Sequence, residues 1–277
     1  MRRFEIIVPA SADVPFAMTV GVDAEAWLEA LKAALLKLEL GNVHNLLVDI
    51  HADNTIHVTE PRSHRTFRIR ELEDEVGAST PPPEAEPVRL AAEAPVIGRA
   101  RKPPPEDEDE QQLLLERLFA QAQDVWSQPR TLNEGAAFFL DLAMAALPVE
   151  SGAVFISELE RDDLYFAAAR GPKANEVVAF TVPRGQGLVG FAVSNGVALA
   201  VSDADKDPRF FAAISLKLGY PTRSLAVAPT QKEGRVFGAI EVMNKSNDSP
   251  FTEEDLVVLD YLGARLADFL DQHFAQR

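Results

Sequence analysis

One stretch limits what the rest of the chain can build. From Glu73 to Glu110 it holds Pro81-Pro82-Pro83, Pro103-Pro104-Pro105 and the acidic run Glu106-Asp107-Glu108-Asp109-Glu110. Proline removes backbone donors and like charges repel, so this composition predicts an extended, disordered linker rather than part of a core. The 277 residues therefore divide into an ordered 1–72, a linker 73–110 and an ordered 111–277. Within the linker, VRLAAEAPVIGRARK is less acidic and reads either as plain linker or as a short partner-binding peptide.

Bulk properties exclude several function classes. A formal net charge of −16 repels phosphate backbones and anionic lipid, so neither nucleic acid nor a membrane surface is an expected partner. The chain has no cysteine, which removes disulfides, thiolate metal sites, cysteine nucleophiles and a covalently attached bilin. The apolar run near the N-terminus is cut by Glu5 and Pro9, and no segment reads as a signal peptide or a bilayer span. A cytoplasmic location is the expectation.

Residues 1–72 read as a small α+β domain with one helix on an antiparallel sheet. FEIIVPA and FAMTVGV have strand composition. Asp23 is a candidate N-cap for a helix carrying Trp27, Leu28, Leu31, Leu35 and Leu38 at helical spacing, with Gly41 closing it. Leu46–His51 and Thr55–Glu60 flank a hairpin turn, and Thr66–Arg70 alternates as a further strand. If Val48, Ile50, Ile56 and Val58 point inward, Asp49, His51 and His57 share the outer face near Arg68. Two histidines and a carboxylate are zinc-ligand types, which makes these three a weak metal candidate and opens a metal-dependent enzyme as one reading. A partner-docking face and plain solvent exposure are the competing readings.

Residues 111–277 read as a central antiparallel sheet with the helices from both ends of the segment packed on one face. Leu115, Leu118, Phe119, Ala122, Val125 and Trp126 recur on one helical face, and a second helix follows over Thr131–Leu147. Strand compositions then alternate with a turn, Arg184-Gly185-Gln186-Gly187, whose glycines suit positive φ, and Gly190 suits close packing of the next helix on the sheet. Asp207 is placed for an Asx-type turn with Phe210 directed into the core. Thr252 with Asp255 forms a variant capping box, and Phe251 can staple against Leu256.

Four segments in order, VPRGQGLVGFAVSNG, SDADKDPRF, the pair TRSLAVAP and GRVFGAIEVMNK, and FTEEDLVVL, make this half resemble GAF domains along nearly its whole length. The family's NK…F…DE signature appears as Asn244, Lys245, Phe251 and Asp255, with Leu256 in place of the last acid. The resemblance implies a Lys245–Asp255 salt bridge that braces the fold, a ligand pocket and dimerisation through helices. Residues implied at the pocket are Ala153, Ala169, Arg170, Leu188, Val189, Ser215, Thr222 and Glu241. Thr222 and Glu241 match ligand-contacting residues of cyclic-GMP-binding members. Ser215, Ala169 and Arg170 depart from an aspartate, a stacking phenylalanine and a second aspartate, and Arg170 could favour an anionic ligand.

Haem needs an axial ligand, and this half has only His273. No particular cofactor is implied; the pocket is read as holding a small molecule or nucleotide, or as empty. The family's cysteine-dependent methionine sulfoxide reductase chemistry is closed to a chain without cysteine. The resulting expectation is a non-catalytic sensor that acts through protein contact, a homodimer included, with Leu259, Leu262, Leu266 and Phe269 as a pairing stripe or as cover for their own sheet. A structural adaptor with a ligand-free GAF fold is the alternative.

Overall fold

The computed structural model describes the chain apart from residues 11–16, 42, 44, 52, 61–62, 64, 73–104, 159–161, 208, 247 and 276–277, with only the backbone over 105–112. The N-terminal unit runs β1 (Arg2–Val8), β2 (Met18–Ala24), α1 (Trp27–Lys37), β3 (Asn45–Ile50), β4 (Ile56–Glu60) and β5 (Arg65–Leu72). The C-terminal unit opens with α2 (Pro105–Gln123) and α3 (Leu132–Ala146), then β6 (Val149–Glu158) and β7 (Asp163–Arg170). It continues through α4 (Ala174–Val177), β8 (Thr181–Pro183), α5 (Gly187–Asn195), β9 (Ala198–Val201) and α6 (Ala212–Leu218). The strands β10 (Leu225–Lys232) and β11 (Arg235–Lys245) and the helix α7 (Glu253–Ala275) complete it.

The fold is α+β as expected, but the two sheets are one. All eleven strands join in the order β2-β1-β5-β4-β3-β9-β10-β11-β6-β7-β8. Every pairing is antiparallel except the seam, where Asn45–Val48 of β3 lie parallel to Ala198–Val201 of β9. Asp49 accepts a hydrogen bond from Ser202 Oγ at 3.1 Å beside it. Below one face, the core of the N-terminal unit (Phe4, Ile6, Trp27, Leu28, Leu31, Phe67) runs without a break into Leu199, Leu225, Val227 and Leu188. The strands of residues 1–72 and those of the second half thus share one sheet.

The opposite face carries α2, α3 and α7 over β6, β10 and β11, as the order of elements implied. Thr131 caps α3 with a full capping box: its Oγ1 accepts from Glu134 N, and Glu134 Oε2 accepts from Thr131 N at 2.8 Å. The stripe Leu259, Leu262, Leu266 and Phe269 of α7 is buried against this sheet. One stripe cannot cover its own sheet and pair across a twofold axis, so the expected dimer stripe is spent inside the chain.

Several local expectations give way. Asp23 lies within β2, and α1 starts from Ala26 with no side-chain cap. That helix ends before Gly41, at a left-handed Glu39 (φ 57°). Phe119 is 52% exposed, because Leu118 and Ala122 take the buried face of α2. The helix α2 begins at Pro105, inside the stretch that composition assigns to the linker. Proline fits the first helical turn and acidic side chains suit a helix N-terminus, which is why this end of the charged run can be helical. The peptide VRLAAEAPVIGRARK and the rest of the linker lie outside the described residues.

Candidate functional site

A cavity of about 110 Å³ sits between the GAF-like sheet and α4, α5 and α6. Two glycines shape its entry. Gly185 (φ 79°) and Gly187 (φ 70°) turn the chain from β8 into α5. A Cβ on Gly187 would meet Phe211 Cβ at 3.0 Å. Gly190 is also needed, but not for the sheet: its Cβ would strike the backbone of Gly185 at 2.9 Å, so it lets α5 close on its own entry turn.

Seven of the eight expected pocket residues line this cavity: Ala153, Arg170, Leu188, Val189, Ser215, Thr222 and Glu241. Ala169, paired with Ala153 in the β6–β7 ladder, is not part of the lining. Arg170 reaches the rim, but its guanidinium grips Asp141 through two bonds of 2.7 and 3.0 Å, so its charge is already matched. The aromatic surface that seemed lost with Ala169 comes from elsewhere. Phe155 and Phe166, ring centres 4.4 Å apart, stand in the wall with Phe210 and Phe211. Alternation marks these as inward residues in sequence, but not which of the two sheet faces carries a cavity.

The polar groups gather at one side. Ser215 Oγ lies 3.2 Å from Thr222 Oγ1, and Ser151 Oγ lies 2.8 Å from Tyr220 Oη. Burial pushes the Tyr220 hydroxyl above its ordinary range. Hydrogen bonds from Arg223 and then Asn244 hold the neighbouring Glu150 carboxyl below its range.

Glu241 stands apart from this network. It sits on β11 at 6% exposure and faces the cavity, with no hydrogen bond or ion pair to its carboxyl group among the described residues. Burial alone pushes it up to about 8. At neutral pH the acid is therefore mostly neutral, able to donate one hydrogen bond and accept another. A ligand offering a cationic nitrogen or paired N–H donors would supply what this group lacks.

The signature residues brace the site from behind. Lys245 Nζ meets Asp255 Oδ2 at 2.5 Å in a buried pair, and the same carboxylate accepts from Thr252 N at 2.7 Å. Lys245 also lies 5.8 Å from the Phe251 ring centre. Asn244, left-handed at φ 56°, accepts from Arg223 N at 2.8 Å. Its Nδ2 reaches Glu150, Tyr220 and the Pro221 carbonyl. The motif thus locks β11 to α7 and to the loop before β10.

The outer face of the N-terminal sheet brings its expected residues together only in part. His51 Nε2 and His57 Nδ1 approach to 2.9 Å, and Arg68 stands opposite His57 in the β4–β5 ladder. Asp49 turns to Ser202, and Asp53 is engaged by Thr55 N at 3.1 Å. Burial, then His51 and Arg68, push His57 below its ordinary value. Among the described residues no three His, Cys, Asp or Glu side chains are placed to hold a metal ion.

Comparison with known proteins agrees with this geometry. Residues 134–269 match the family model for the GAF domain. Over 80 residues the chain is 38% identical to a dual 3',5'-cyclic-AMP and -GMP phosphodiesterase 11A of Takifugu rubripes, covering 28% of this chain and 9% of that protein. Over 70 residues it is 34% identical to a probable 3',5'-cyclic phosphodiesterase of Caenorhabditis elegans, covering 25% of this chain and 10% of that one. The matched stretch thus spans about a tenth of either relative. Among solved structures, the GAF domain of a phosphoenolpyruvate-protein phosphotransferase from Coxiella burnetii superposes with a TM-score of 0.54 at 20% identity, covering 60% of this chain and 97% of that one. A free methionine-R-sulfoxide reductase from Neisseria meningitidis gives 0.51 at 23% identity, with 61% and 95% covered. Among the described residues no helix is long and apolar enough to cross a membrane. The six-stranded order β9-β10-β11-β6-β7-β8, the helices that cover it and the matched sequence together make the C-terminal half of this chain a GAF domain.

Proposed function

We propose that this chain is a non-catalytic regulatory protein whose GAF cavity senses a small molecule and whose output passes through protein contact. The observation that carries the reading is Glu241, a buried carboxyl group facing a largely apolar cavity without a partner of its own. An unpartnered buried acid costs stability, and a ligand with N–H donors would recover it. Thr222 and Ser215 in the same lining offer hydroxyls for orientation, and Phe155 and Phe166 offer a flat apolar wall. This is the layout of a ligand pocket: apolar lining with a few convergent polar groups.

The cavity's 110 Å³ is below the roughly 300–1,000 Å³ common for ligand pockets. The favoured ligand is therefore a compact metabolite with a cationic or N–H donor edge, and a full cyclic nucleotide would need α4 and α6 to move outward. Self-association belongs to the same proposal. With the α7 stripe buried, the exposed Leu113 and Phe119 of α2 offer an apolar helix surface to a second copy.

The test is thermal unfolding of the full chain against a panel of cyclic nucleotides, purines and small amines. A ligand at a hundred times its dissociation constant adds about 2.7 kcal/mol, a shift of several degrees. The shift is expected to disappear in Glu241→Leu. A panel that leaves the transition unmoved favours the ligand-free adaptor.

A further inference from the structure

One ion pair lies where the segments that bear the cavity meet the N-terminal unit. Asp207 and Arg209 lie in the loop between β9 and α6, and the next two residues, Phe210 and Phe211, line the cavity. The Asp207 side chain is fully buried and that of Arg209 is 14% exposed. Asp207 Oδ1 accepts from Arg209 N and Nε, each at 2.9 Å, while Oδ2 accepts from Nη2. The loop and the guanidinium are thereby fixed to each other as one rigid piece.

That guanidinium faces two rings from different units. It lies 4.9 Å from the ring centre of Trp27 on α1 and 4.5 Å from that of Phe191 on α5. The two rings stack on each other with centres 5.9 Å apart at 26°. The same helix α5 supplies Leu188 and Val189 to the cavity wall. Arg209 thus touches the N-terminal unit on one side and is bonded to cavity-bearing segments on the other. A buried pair resists separation, since moving one partner away strands a charge, so a displacement of Phe210 and Phe211 carries Arg209 with it. The joint is also not fully satisfied. Arg209 Nη1 and Trp27 Nε1 are both buried donors without a hydrogen-bond partner, so a second seating of Trp27 that brings an acceptor to either one has something to gain.

We propose that the Asp207–Arg209 pair is a coupling element that transmits the filling of the GAF cavity to the N-terminal unit. Filling the cavity shifts Phe210 and Phe211, the pair follows, Trp27 reseats, and the parallel pairing of β3 with β9 tightens or loosens. The N-terminal unit becomes the reader of the pocket within its own chain. The inference goes beyond ligand sensing and does not depend on which molecule binds.

The experiment fills the cavity with a side chain in place of a ligand. Hydrogen exchange is measured by mass spectrometry on the full chain for wild type, Ala153→Leu, Arg209→Met and the double variant. Ala153→Val replaces Ala153→Leu if the larger side chain prevents folding, and Trp27→Leu replaces Arg209→Met on the same ground. Amides of residues 45–50 are expected to change exchange rate by at least about threefold when the cavity is filled, and Arg209→Met is expected to abolish that response. Arg209→Lys, which keeps the charge, is expected to retain part of it. Unchanged exchange at 45–50 in the filled variant overturns the proposal. So does a response that persists undiminished in the double variant, because the signal would then travel along the sheet from β10 to β9 and not through Arg209.

Discussion

The two halves of the eleven-stranded sheet meet water differently. Strands β6, β10 and β11 lie between α2, α3 and α7 on one face and α5 with the cavity on the other, and they show unbroken buried runs such as Ser151–Ile156 and Leu225–Thr230. Strands β1 and β5 have α1 on one face only. There Phe4, Ile6 and Val8, and Phe67 and Ile69, alternate with exposed or half-exposed Glu5, Ile7, Arg68 and Arg70. A strand covered on both faces is constrained by volume at every residue, and one covered on a single face only at every second residue. The difference assigns roles: the sandwiched half can enclose a pocket, and the open half presents a polar surface.

Glycines sharpen the contrast most. In the sandwiched half, a Cβ on Gly238 would sit 2.0 Å from the Phe155 carbonyl oxygen, backbone against backbone. Gly238→Ala must part β11 from β6 and is expected to cost more than about 4 kcal/mol, enough to abolish a folded transition in denaturant. Persistence of a cooperative transition near the wild-type midpoint would break the comparison.

The next effect separates the pocket from the open face by pH. Glu241 has a folded value of about 8 against an ordinary 4.5, so between these values the unfolded chain is ionised while the folded chain keeps its proton. Its contribution to stability is fully present below about pH 4.5, is lost as pH rises, and is gone above about 8. The expected slope is about 1.4 kcal/mol per pH unit within that window. Glu241→Gln removes this slope, so the variant and wild type converge near pH 4.5 and diverge toward pH 8 in urea unfolding. Parallel curves for the two proteins would show that the carboxyl group reaches water or a partner in the folded state.

The smallest effect lies on the open half. Gly21 on the edge strand β2 has no atom within 4 Å of where its Cβ would be. Gly21→Ala is expected to leave stability within about 1 kcal/mol of wild type, on the stabilising side, because it restricts only the unfolded chain. A measurable loss would mean that this edge is packed against something in solution.

How far the site could be read in advance follows from the range of each interaction. The Thr252–Asp255 cap, the Gly185–Gly187 turn and the Asp207 turn were legible because each involves groups within three residues of one another. The cavity positions of Thr222 and Glu241 were legible only through family resemblance, which carries tertiary information that spacing lacks. Asp23 misled because a polar residue before an apolar helical run resembles a cap, yet pairing with Arg3 keeps it in the sheet. Arg170 misled because its charge is visible in sequence while its partner Asp141 lies on α3, out of local reach.

By itself the sequence determined the α+β class, the GAF fold of the second half and the chemistry closed to a chain without cysteine. The class and the excluded chemistry follow from composition and local propensity, and the GAF fold from the resemblance of four ordered segments to that family. Only the tertiary structure decided that β3 docks on β9, joining Asp49 to Ser202 across 153 positions, and that Arg209 is held against Trp27. The reason is physical. An edge strand offers the same backbone donors and acceptors whatever its side chains, so it does not announce its partner. A buried carboxyl group like Glu241 is written with the same letter as a solvated one, and only the packing around it raises its affinity for a proton.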